Sequence, residues 1–127
     1  MMGKLLFSTA ILVFSMLSLS AQQKEYRDIY IFTSDAANAS FINQKLILTD
    51  AAGLQERDIQ IHEIVGLKAN ESVFKKYNAS AQKFTFVLFG KDGGEKLRSH
   101  EPVSLEKLYR TIDGMPMRKA EMKQGKH

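Results

Sequence analysis

The chain has 127 residues, a formal charge of +4 and no cysteine. That length suits one domain built on a single core. The missing cysteines exclude disulfides, thiol–disulfide exchange, thiolate metal sites and iron–sulfur clusters.

Lys4 supplies a basic start, and Leu5 to Leu19 is an apolar run diluted by Ser8, Thr9, Ser15 and Ser18. Small residues Ser18, Ser20 and Ala21 precede polar Gln22 to Glu25. This predicts a secretory signal peptide over residues 1–21, cleaved after Ser20 or Ala21, and an exported protein, periplasmic or secreted. The run is too short and too rich in serine for a membrane anchor, which needs about 20 apolar residues. The mature chain is then one domain over 22–127, with no transmembrane span.

Ile29-Tyr30-Ile31-Phe32 is apolar on both faces, the pattern of a central strand. Thr33, Ser34 and Asp35 offer oxygens to a helix N-terminus. That helix is expected to run to about Ala52, with Phe41, Leu48 and Ala52 inward and Ile42, Leu46 and Ile47 widening the buried face. Gly53 stands where a left-handed cap is wanted. Residues 59–65 alternate as a strand near a sheet edge. Asn70 caps a short helix carrying Val73, Phe74 and Tyr77, and Asn78 stops it. Phe84 to Phe89 is a second two-sided strand. Asp92-Gly93-Gly94 supplies the positive-φ positions of a hairpin, and Glu95 to Ser99 returns as a polar edge strand. Ser104 caps a helix stapled by Val103 and Leu108, with Leu105, Leu108, Tyr109 and Ile112 inward. Gly114 ends it, and from about residue 115 a basic tail follows that adds at most one helical turn.

The order is β-α-β-α-β-β-α: an α/β fold with a mixed four-stranded sheet flanked by helices, its first two strands parallel. It resembles the thioredoxin-like fold. The family's Cys-x-x-Cys falls on Ala36-Ala37-Asn38-Ala39, and Ala81-Gln82-Lys83-Phe84 lacks the family's proline before the third strand. A closer likeness rests on GKDGGEKLRS at 90–99, Glu101-Pro102-Val103-Ser104 and Ile112 to Arg118. These segments resemble a family of small exported thioredoxin-like domains of unknown function. That resemblance implies the architecture and no catalytic residue.

The charge excess lies at one end. Gln22–Ser104 holds eleven basic and eleven acidic residues. From Leu105 onward six basic residues (Lys107, Arg110, Arg118, Lys119, Lys123, Lys126) face three acidic ones (Glu106, Asp113, Glu121). Arg110, Arg118, Lys119, Lys123 and Lys126 are therefore the candidate interaction surface. An acidic protein surface or anionic headgroups would suit it, and export argues against nucleic acid. The sequence carries no nucleophile elbow, paired carboxylates or phosphate loop, and it points to no cofactor. The function expected is that of a non-catalytic binding module. The alternative is a cysteine-free metal protein or enzyme using His62, His100 or the soft donors Met115, Met117 and Met122. Against it, His62-Glu63 and His100-Glu101 are strand neighbours that point to opposite faces.

Overall fold

The computed structural model describes residues 23–125, so the expected signal peptide over 1–21 lies outside the described residues. Its centre is β1 (Arg27–Thr33), buried along almost its whole length. β1 pairs in parallel with β2 (Ile59–Val65), from Arg27 opposite Ile59 to Thr33 opposite Val65. On its other side it pairs antiparallel with β3 (Thr85–Phe89), which pairs antiparallel with β4 (Glu95–Ser99). The sheet order is β2-β1-β3-β4, so the two strands read as edges are the edges. The hairpin between β3 and β4 turns on Gly93 at φ +82, while Gly94 keeps an ordinary φ. Asp92 Oδ1 accepts the Gly94 N–H at 2.9 Å, and a bulge at Phe89 and Glu95 absorbs the extra residue.

Alternation on the strands divides the core in two. Ile29, Ile31, Phe86 and Leu88 face one side, with Phe41, Leu48, Leu54, Val103, Leu108 and Ile112. Each such side chain contributes about 1.5–3 kcal/mol on burial. Phe32 and Val87 face the other side under Phe74. The helices on the first side are α1 (Ala39–Ile47), α2 (Ala51–Glu56) and α4 (Leu105–Asp113). The second side carries α3 (Glu71–Lys76).

Three expectations about the helices are corrected. The long first helix is two, because Thr49 and Asp50 bond locally: Thr49 Oγ1 to the Leu46 carbonyl at 3.0 Å, and Asp50 Oδ1 from the Gly53 N–H at 3.3 Å. Such side chains compete with the helical ladder. Gly53 therefore sits inside α2. A Cβ there would meet Asp50 and, at 2.5 Å, the Tyr109 hydroxyl. Second, Ile42 and Leu46 are exposed, at 46% and 67%, because α1 turns Phe41, Gln44 and Leu48 to the sheet. Third, Asn70 occupies the N-cap position of α3 as expected, but its side chain makes no capping bond. Its Nδ2 donates to the Val65 and Gly66 carbonyls, both at 2.9 Å, whereas Asn78 stops α3 at φ 54 as expected. Ser104 caps α4 as expected, accepting from the Lys107 N–H at 3.2 Å.

The basic tail is a helix of its own. Gly114 stays in the right-handed region, and Pro116 opens α5 (Pro116–Lys123) at its first turn, where a missing N–H costs nothing. It docks against the start of β1 instead of trailing into solvent.

Candidate functional site

The junction between β1 and α1 is where Thr33, Ser34 and Asp35 are expected to offer oxygens to the helix N-terminus. There the Asp35 Oδ1 accepts the Ala37 N–H at 2.9 Å, and the Thr33 hydroxyl oxygen accepts the Asp35 N–H at 3.3 Å. Asn38 Oδ1 accepts the Phe41 N–H at 3.0 Å as the N-cap. The chain's own oxygens thus occupy these donors, and Ala36 and Ala39 offer no nucleophile. Asn38→Ala is expected to cost about 1 kcal/mol in urea denaturation, the usual worth of such a cap. An unchanged midpoint would remove the capping role.

The histidines of the alternative reading do not meet. His62 lies on β2 at one sheet edge, 2.9 Å from Asp28 Oδ1 and stacked on Tyr30 with ring centroids 4.4 Å apart. His100 follows β4 at the opposite edge, its Nδ1 3.2 Å from the Phe84 carbonyl. Tyr30 also stacks on Tyr77, and burial, then its bond to Tyr77, pushes its hydroxyl well above the ordinary range. Among the described residues, no group of three or more His, Asp or Glu side chains is arranged to hold a metal ion.

The basic end is divided by α5. Arg118 is buried, 1% exposed, which removes it from any contact surface. Its Nε donates to Asp113 Oδ1 at 3.1 Å and its Nη1 to the Glu56 carbonyl at 3.2 Å. Arg110, Lys119 and Lys123 are exposed, and Lys126 lies outside the described residues. Glu121, three residues after Arg118, also turns inward. It accepts Arg27 Nη1 and Nη2 at 3.3 and 3.1 Å and Lys91 Nζ at 2.9 Å. Lys91 also reaches Asp58 Oδ2 at 2.8 Å. Arg57, stacked 3.7 Å over the Tyr109 ring, forks onto Asp113 at 3.1 and 3.0 Å. Arg27, Arg57, Lys91 and Arg118 are thus set against Glu56, Asp58, Asp113 and Glu121.

Electrostatics within this network are mutual. Burial alone would raise the Glu121 carboxyl, but hydrogen bonds and charge from Arg27 and Lys91 hold it below its usual range. The Asp113 carboxyl is lowered against the same burial cost by Arg57 and Arg118. Burial, then its bond to Asp50, pushes Tyr109 up to about 12.

Beside the network lies a cavity of about 270 Å³, lined by Arg27, Lys91 and Lys96, by Gly90 and Asp92 of the hairpin, and by Met115, Pro116 and Met117. Two of the three candidate methionines therefore share one cavity. Met122 is not in its lining and stands 41% exposed. Three cationic side chains around Met115 and Met117 oppose a metal cation there.

A family model described as "Domain of unknown function (DUF4174)" matches residues 18–121. The chain belongs to this family. No curated protein matches it. Among solved structures, the crystal structure of Trxlp from Edwardsiella tarda EIB202 is similar, with 18% identity and a TM-score of 0.54. The match covers 76% of this chain and 91% of that one. At that identity the likeness concerns the fold, which is thioredoxin-like. This DUF4174 domain carries that fold without any cysteine.

Sequence reasoning missed Arg27, Lys91 and Glu121. The available signal was an acid placed three residues after an arginine in an otherwise basic tail, a spacing that puts both on one helix face.

Proposed function

We propose that the protein is an exported, non-catalytic binding module whose contact surface is the basic C-terminal end and whose partner is an acidic protein surface. The observation that carries this reading is the two-sidedness of α5. Arg118 locks the helix to α2 and α4 and Glu121 locks it to β1, while Lys119, Met122 and Lys123 face solvent. Residues three and four apart share a helix face, so these three form one patch. Its rigid base fixes where the lysines stand before a partner arrives, which reduces the ordering cost of association. Exposed charges of this kind act mainly on encounter rate and salt dependence.

The test is crosslinking in the protein's own compartment, identification of the captured protein, and titration of that purified partner. Reversing Arg110, Lys119 and Lys123 to Glu is expected to weaken binding at least about tenfold, with a loss of ~1.4 kcal/mol or more. The thermal midpoint should stay unchanged, since all three side chains are exposed. Undiminished capture by the reversed variant sinks the surface assignment. Equal binding of the native protein to anionic phospholipid vesicles would assign the patch to headgroups instead.

A further inference from the structure

We propose that the cavity between the β3–β4 hairpin and the start of α5 is a binding site for a small monocarboxylate with an apolar body. This site is separate from the exposed lysine patch and does not rest on it. At about 270 Å³ the cavity approaches the size at which small-molecule sites begin, roughly 300 Å³. At ~30 Å³ per water-sized atom it holds about nine non-hydrogen atoms.

Its chemistry is two-sided. Met115, Pro116 and Met117 form an apolar wall that adapts to an alkyl chain, since thioether side chains fill irregular space well. Opposite them are three cationic side chains and one carboxylate: Arg27, Lys91 and Lys96 against Asp92. Behind the wall, Glu121 and Asp58 hold the Arg27 and Lys91 termini. Arg27 is 0% exposed, and its Nε has no hydrogen-bond acceptor among the described residues. A buried donor of this kind calls for an acceptor. Lys96 stands at the mouth, a third exposed, its Nζ 2.8 Å from Asp92 Oδ2. Gly90 makes room for that pair, because a Cβ there would lie 2.7 Å from Lys96 Cε and 3.0 Å from Asp92 Oδ1. A carboxylate at this end takes a charge-assisted hydrogen bond from Lys96, in the positive field of the buried Arg27 and Lys91, while its chain lies on the methionines.

The probe is octanoate, added to the intact protein labelled at its methionine methyl groups and followed by NMR, with 1-octanol and octylammonium as controls. Single Met→Leu variants assign the signals. Octanoate is expected to shift the Met115 and Met117 methyls saturably and leave Met122 still. Octanol should bind at least about tenfold more weakly, the factor carried by ~1.4 kcal/mol. Lys96→Gln, at an exposed position that does not endanger folding, should weaken octanoate by a similar factor and leave octanol unaffected. Four results overturn the proposal: no shift at millimolar octanoate, equal affinity for octanol or octylammonium, a shift confined to Met122, or undiminished octanoate binding by Lys96→Gln.

Discussion

Glu121→Ala is expected to lower the unfolding free energy by about 3–5 kcal/mol, the cost of leaving buried cations without their counter-charge. One carboxylate serves three neighbours: Arg27 through both of its oxygens, Lys91 at 2.9 Å and Arg118 at 3.9 Å. Arg27 and Lys91 are 1% and 4% exposed at their side chains, so water cannot replace what the carboxylate supplied. Urea denaturation measures the loss. A cost under about 1 kcal/mol, typical of a surface ion pair, would show that the network is solvated. Arg27→Met combined with Glu121→Leu should recover part of the loss, since a buried pair replaced by apolar groups of similar volume is often close to neutral. The same carboxyl sets an acid limit. Its folded pKa lies below the ordinary 4.5, so its stabilisation is complete above that value and is lost as pH falls through the folded one. Asp113, lowered from 3.8, adds to the same slope. Glu121→Gln, already lacking the charge, should lose less stability between pH 5 and 3 than the native chain, as measured by urea midpoints across that range.

The network also explains which parts of this fold could be read from sequence. Strands announced themselves because their signal is local: Ile29 to Phe32 and Phe84 to Phe89 each show both faces within a few residues. The hairpin, the Ser104 cap and the Val103–Leu108 staple are local in the same way. What stayed hidden were contacts between distant residues. Arg27 and Glu121 are 94 positions apart, and no periodicity links them. A basic residue in a tail rich in lysine reads as solvated, yet Arg118 is buried because Asp113 and Glu56 wait on neighbouring helices. Apolar pattern misled in the opposite direction on α1. Ile42 and Leu46 fit an inward stripe but stand exposed, while the polar Gln44 takes the inner position. The cavity was illegible for the same reason as the network. Its walls come from β1, the hairpin and α5, which adjoin only in three dimensions.

Gln44 carries the second large effect. Its side chain is fully buried, donating from Nε2 to the Val103 carbonyl at 3.0 Å and accepting the Val103 N–H on Oε1 at 2.6 Å. One amide thus satisfies both backbone groups of a residue 59 positions away, at the point where the chain leaves the sheet for α4. Gln44→Leu gains apolar volume but orphans two buried backbone groups, each worth roughly 1–3 kcal/mol, so a net loss of about 2–4 kcal/mol is expected. Urea denaturation reads the magnitude. Hydrogen exchange reads the place, with the Val103 amide losing protection before the strands do. A neutral or stabilising Gln44→Leu would sink this assignment. Gln44→Glu separates hydrogen bonding from shape. Ionised, the carboxylate accepts from the Val103 N–H but opposes the Val103 carbonyl, and burial penalises its charge. Protonated, it can donate as glutamine does. Its folded pKa is therefore raised, so stability is present at low pH and lost as pH rises through that value. The native chain, governed by Glu121 and Asp113, slopes the other way. A Gln44→Glu variant whose deficit shrinks on acidification, against the falling stability of the native protein, would locate the effect at this one amide.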